Sequence, residues 1–297
     1  MRMNYNLSQI SAIKEFVKKR RELQPAIRIY RAGRSFIQKV PSFPSLVYEG
    51  QRVKRFKNCH RGRKRCFLIG NGPSIRYQDL TQLRSEVVFV TNNFVLHSQY
   101  EEIVPTYYCV SDPNFFLGGV NPEFGHLMKQ KAHATVKFFP LSAKKAVKRN
   151  GLFHRNLIYY LNYIGIPIWK TGRMNLDISK EVYTGDSVII DFCLPLAFYM
   201  GFSEIYLIGC DMDYGLDRAE DFSRGYFYDA RLTTASRQTV EYLKKEWYNN
   251  VIASYMVARR IFEQEGRKIY NATLGGKLEV FERVNLKKIL EVKTAND

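Results

Sequence analysis

The chain has 297 residues, of which 45% are hydrophobic and 14% aromatic, with five cysteines and a formal net charge of +18. That is enough chain for one large domain or two small ones and enough apolar content for a substantial core, which excludes a disordered or fibrous protein. No window of 18 uncharged apolar residues occurs and no initial stretch has the basic, apolar, small-residue order of a leader, so neither a spanning helix nor a secretory signal is expected. Cys59, Cys66, Cys109, Cys193 and Cys210 lack metal-ligand spacing and read as free thiols of a reducing compartment.

The charge is concentrated at one end. Residues 1–65 hold 18 Lys and Arg against 3 acids, so +15 of the +18 lies there. Within it Ile10, Ile13, Phe16 and Val17 recur at helical spacing beside Lys14, Lys18, Lys19, Arg20 and Arg21, and a second apolar and basic stretch covers Ile27 to Val40. An amphipathic basic segment suits an anionic membrane face, each cation near the surface adding about 1 kcal/mol. Residues 1–60 are therefore expected to be a helical extension that holds a cytoplasmic protein peripherally on the inner face of the membrane. Nucleic acid is the weaker alternative partner. Pro41, Pro44, Gly50 and the charge run at 52–65 place a boundary near residue 60.

From there strands and helices alternate. Continuous apolar runs predict strands at Arg65–Gly70, Glu86–Asn92, Thr106–Ser111, Thr135–Phe139, Asn156–Leu161, Glu204–Gly209 and Lys268–Asn271. Helices are expected over Tyr77–Arg84, Leu141–Arg149, Ser187–Met200 and Ala235–Glu265. This alternation predicts an α/β fold with a doubly wound, mostly parallel, Rossmann-like sheet over residues 61–297.

Polar residues gather where these strands end. The first strand stops at Gly70-Asn71-Gly72-Pro73-Ser74, whose glycines would let backbone N–H groups approach a phosphate or base, and whose Ser74 can cap the next helix. The second ends at Thr91-Asn92-Asn93 and the third at Ser111-Asp112-Pro113-Asn114. Each is also ordinary turn chemistry. Several on one sheet point to a polar ligand across the strand ends. Thr184-Gly185-Asp186-Ser187 precedes an apolar helix whose N-terminus is a ready anion site. Asp211 and Asp213 follow another apolar strand at i and i+2, pointing the same way if the strand continues, and could hold a divalent cation or supply a general base.

Gly70–Ser74, Thr91-Asn92-Asn93-Phe94, Thr184-Gly185 and the run Ala197–Asp211 together resemble, in order and spacing, the bacterial sialyltransferases of glycosyltransferase family 42. Gly266–Thr273 and Leu278–Phe281 resemble that family and its relatives in surface-polysaccharide and lipooligosaccharide synthesis. The resemblance implies an inverting transferase that moves sialic acid, Kdo or a related 2-keto sugar acid from a CMP donor to a glycan or glycolipid acceptor. No cofactor is required, magnesium is compatible but not essential, and a homo-oligomer is compatible with the chain. Carried over, Asn71, Gly72, Pro73, Ser74, Asn92, Asn93, Asp112, Thr184, Gly185, Asp211 and Asn271 would surround the donor nucleotide. Tyr214, Tyr226 and Tyr228 are candidates for the leaving phosphate. The histidine base of that family has no counterpart, because no histidine follows His154; Asp213 or Asp229 would replace it, with Tyr226 near its place.

Two alternatives stand beside this. The wider fold group includes 6-hydroxymethylpterin pyrophosphokinase-like proteins, in which Asp211 and Asp213 would bind magnesium for ATP-dependent pyrophosphoryl transfer. A basic, non-catalytic adaptor on membrane or nucleic acid is the other, since one fold hosts many functions.

Overall fold

A computed structural model describes residues 43–116, 122–151, 157–213, 225–228 and 246–291. The expected N-terminal helices up to Val40, together with Tyr214 and Asp229, lie outside the described residues. An eight-stranded sheet forms the centre. Its members are β1 (Arg65–Ile69), β2 (Val88–Thr91), β3 (Tyr107–Cys109), β4 (Val136–Pro140), β5 (Ile158–Leu161), β8 (Glu204–Ile208), β9 (Lys268–Asn271) and β10 (Glu282–Arg283). Strands β6 (Tyr163–Pro167) and β7 (Val182–Thr184) pair separately. Every pairing in both sheets is parallel.

The order across the large sheet is β10-β9-β8-β1-β2-β3-β4-β5. The chain starts in the middle at β1, builds outward to β5, then returns to place β8 on the other side of β1. This is a doubly wound α/β sheet. The reversal leaves a crevice beyond the C-terminal ends of β1 and β8, the position where such sheets bind ligands.

Alternation along the strands explains why both faces are covered. Cys66 and Leu68 of β1 point to one face with Phe89, Cys109 and Leu207; Phe67 and Ile69 point to the other with Val88, Val90, Tyr108 and Ile208. On the first face lie a π-helical turn over Ile189–Cys193, its continuation Leu194–Met200, and the 17-residue helix Tyr248–Gln264. Burial on both faces is what continuous apolar strands require. At the β5 edge the helix α1 (Phe43–Val53) sends Val53 into the core, and Phe56 beyond it meets Phe138 and Tyr159 edge-on at 5.1 and 4.6 Å.

All seven expected strands form, several trimmed by one or two residues. The expected helix at Tyr77–Arg84 does not. Residues Pro73–Tyr77 and Thr81–Leu83 are two 3-10 turns, because the Asp79 carboxylate accepts from Thr81 N at 3.1 Å and Thr81 Oγ1 at 2.6 Å. Such local side-chain bonds compete with helix formation. Among the described residues no helix is long and apolar enough to cross a membrane.

Candidate functional site at the strand ends

A cavity of about 440 Å³ opens beyond β1, β2, β3 and β8. Its walls include Gly70, Asn71, Gly72, Asn92, Asp112, Asp211 and Tyr226 from the sequence-predicted set and its surroundings. Ser111, at the third strand end, and Asp191, in the helix after Thr184 to Ser187, join them from elements expected at the rim, whereas Tyr163, Trp247 and Tyr255 complete the cavity from elements that the sequence did not bring there. Pro73, Ser74, Asn93, Thr184, Gly185, Asp213, Tyr228 and Asn271 do not line it.

One wall is made by two turns stitched together. Gly72 N donates to Gly209 O at 2.9 Å, and the Asp211 carboxylate accepts from Ser74 N at 3.1 Å and Ser74 Oγ at 2.8 Å. A Cβ at Gly72 would overlap the Asp211 carboxylate. The glycine thus serves turn-to-turn approach before any approach to a phosphate. Burial raises the Asp211 pKa above the ordinary carboxylate value, against the lowering effect of the Ser74 bonds.

The acidic pair does not form. After Ile208 the chain bends at Gly209 (φ 65°) and Met212 (φ 51°), so the strand does not continue and the i, i+2 rule has nothing to act on. Asp211 turns inward to Ser74, whereas Asp213 pairs at the surface with Lys277 Nζ at 3.1 Å. Among the described residues no group of three or more His, Cys, Asp or Glu converges to hold a metal ion.

Asn71 and Asn92 behave differently. Asn71 Nδ2 donates to Thr91 O at 2.9 Å and Thr91 Oγ1 at 2.8 Å, and because a carbonyl can only accept, this fixes the amide orientation. Asn71 Oδ1 and Asn92 Oδ1 are buried and have no hydrogen-bond partner among the described residues. Buried acceptors are nearly always satisfied, so two on one cavity wall mark a place for donors from elsewhere. Asn92, Asp186 and Met212 also have positive φ (47°, 59° and 51°), the left-handed conformation that costs non-glycine residues energy and gathers at functional sites.

The facing wall centres on Asp191, which is 2% exposed. Its Oδ1 accepts from Gly185 N at 2.6 Å and its Oδ2 from Tyr163 Oη at 3.2 Å, with Ser111 a further partner. Tyr163 Oη lies 2.8 Å from Thr184 Oγ1. Burial pushes the Asp191 pKa up to about 7, against these stabilising bonds. Thr184 and Gly185 thus support Asp191 from behind the wall. The one sequence signal for this residue is a lone acid in the apolar run Val188 to Met200. The first helical turn beside it, Ser187 to Ile189, also lines the cavity and has main-chain N–H groups without partners in a preceding turn.

Tyr226 brings an aromatic surface to the cavity. Tyr226 stacks on Tyr228 at 5.2 Å, Phe227 N donates to Asn71 O at 3.0 Å, and Arg76 Nε donates to Phe227 O at 2.6 Å. Burial raises the pKa of both tyrosines, so they act as neutral donors and stacking surfaces. Asn271 is structural: its Nδ2 donates to Leu278 O at 2.8 Å and its Oδ1 accepts from Thr273 N at 3.0 Å.

A family profile described as 6-hydroxymethylpterin diphosphokinase MptE-like matches residues 34–217, more than half of the chain and every strand from β1 to β8. Among curated proteins no match is found. The profile overturns the resemblance to glycosyltransferase family 42, and with it the CMP-sugar donor, the sugar-acid transfer and the place in surface-polysaccharide synthesis. Shared strand-end glycines and amides are features of the doubly wound sheet, and they misled because one sheet serves many chemistries.

Proposed function

We propose, for a chain that belongs to the 6-hydroxymethylpterin diphosphokinase MptE-like family, that the strand-end cavity transfers a diphosphoryl group from ATP to the hydroxymethyl group of a pterin-like heterocycle. The observation that carries this beyond family membership is the pair of buried acceptors Asn71 Oδ1 and Asn92 Oδ1. They suit the N–H edge of an amino-heterocycle, which a pterin and an adenine both possess, and Tyr226 offers a flat surface beside them. The N-terminal turn Ser187 to Ile189 supports an anionic phosphate on the facing wall.

In the reaction the acceptor hydroxyl oxygen bonds to the β-phosphorus, the bond from that phosphorus to the oxygen bridging the α-phosphate breaks, and AMP leaves with that oxygen. The hydroxyl proton passes to a base. Asp191 has the pKa for this role, near 7, where a general base combines availability with driving force. Its bonds to Gly185 N and Tyr163 Oη hold it in one orientation. Of the carboxylates that line the cavity, Asp112, Asp186 and Asp211 would be the ones to hold a magnesium ion brought in with the nucleotide, where it would offset phosphate charge.

Asn92→Gly tests the reading, since glycine relieves the left-handed backbone while removing the side chain that carries the amide. Stability is expected to hold or rise while affinity for 6-hydroxymethylpterin or ATP, measured by calorimetry, falls about tenfold for the loss of a buried bond. Unchanged affinity for both ligands would remove Asn92 from the site.

A further inference from the structure

A second cavity, of about 800 Å³, lies where α1 meets the β5 edge, and it shares no lining residue with the strand-end cavity. Its charge is one-sided: Arg52, Arg55, Lys144 and Lys148 line it against a single carboxylate, Glu49. Glu49 is 2% exposed and accepts from Arg52 at 2.9 Å and from Lys144 at 2.7 Å. Among the described residues Arg55 bonds only to a neutral partner, Tyr159 Oη at 3.0 Å, and Lys148 has no ion pair.

The two cations that meet Glu49 also lie against aromatic rings. The Arg52 guanidinium lies 4.6 Å from the Tyr159 ring centroid, and Lys144 Nζ lies 5.4 Å from Tyr48 and 5.8 Å from Tyr160. These contacts hold Arg52 and Lys144 along the cavity wall, and the Tyr159 hydroxyl holds Arg55, which lowers the entropy lost when a ligand is gripped. A concavity lined by one sign of charge focuses its field and concentrates counter-ions. Arginine forks paired with lysine point charges match the oxygens of a phosphate better than a lone carboxylate does.

We infer that this cavity binds a phosphate-bearing group, either a soluble phosphate or diphosphate or the headgroup of an anionic lipid. None of its residues takes part in the reaction above, so the inference stands apart from that proposal. The cations to remove are Arg55 and Lys148, both exposed. Truncating Arg52 or Lys144 would strip Glu49 of a partner and destabilise the fold by a different route.

The test compares the full-length protein with R55A/K148A and with the charge-preserving R55K/K148R. One arm measures inorganic pyrophosphate binding by calorimetry; the other measures sedimentation with phosphatidic acid vesicles against phosphatidylcholine vesicles. R55A/K148A is expected to weaken one of them about tenfold or more, with R55K/K148R staying near the parent. Loss in the pyrophosphate arm identifies a soluble phosphate as the occupant, and loss in the vesicle arm alone identifies a lipid headgroup. Binding of both probes unchanged in R55A/K148A assigns them to the strand-end cavity or the basic residues before Phe43 and overturns the inference, as does failure of the parent to bind either.

Discussion

Asp211 and Asp191 are buried carboxylates on facing walls of one cavity, and the contrast between them separates holding a site together from acting in it. Asp211 ends an apolar strand, a conspicuous place in the sequence, and its two oxygens are taken up by Ser74. Asp191 sits within an apolar helix and joins Gly185, Tyr163 and Ser111, which come from three separate parts of the chain. A strand-end acid is thus no guide to chemistry until its partners are known. The acid to follow is the one whose pKa burial has brought to neutrality.

Asp191→Asn breaks the comparison with the largest expected effect. Turnover should fall about 100-fold or more, the usual scale for a general base, and the rise of rate with pH through about 7 should disappear. Stability offers a second readout. The carboxyl pKa is raised from 3.8 to about 7 in the folded state, so the native protein holds a proton that the unfolded chain has lost between those values. Asp191 therefore favours folding fully below pH 3.8, and this contribution is lost as pH rises to about 7. Urea melts at a series of pH values should show that slope reduced in the variant. An unaltered rate profile would leave Asp191 as a structural tie like Asp211.

Asp211→Ala is expected to act on stability, lowering it by about 2 kcal/mol because the Ser74 N–H and hydroxyl lose a buried acceptor. Turnover per folded molecule should drop far less than in Asp191→Asn. Chemical denaturation followed by an activity assay separates the two, and a turnover loss matching that of Asp191→Asn would erase the distinction. The smallest effect belongs to Asp213→Asn. Its exposed pair with Lys277 is worth less than about 1 kcal/mol, and steady-state rates should stay near those of the parent. A large loss of turnover would return Asp213 to the chemistry.

The parallel sheet was legible because its strands are short continuous apolar runs ended by Gly, Asn or Asp, and Ile69 to Gly72 and Ile208 to Asp211 duly meet across the switch point. Strands β6 and β7 were not legible. Val182–Thr184 is too short to show a period, and Tyr163–Pro167 contains a glycine and ends in proline, both unfavourable to a strand. Their pairing brings Tyr163 beside Thr184 and so orients Asp191, which is why the Thr184 to Ser187 turn was foreseen at the site but the Tyr163–Asp191 contact was not. Asn71, Asn92 and the Gly70–Ser74 turn were found because their polarity has no role within a strand. The reversal at Met212 was not, since a methionine gives no sign of positive φ.

The most direct measurement is to incubate the full-length protein with magnesium ATP and 6-hydroxymethylpterin and follow nucleotide and pterin products together by mass spectrometry. Diphosphoryl transfer predicts AMP and a diphosphorylated pterin in equal amounts, both lost in Asp191→Asn. Neither product above background, or ADP with a monophosphorylated pterin, would contradict it.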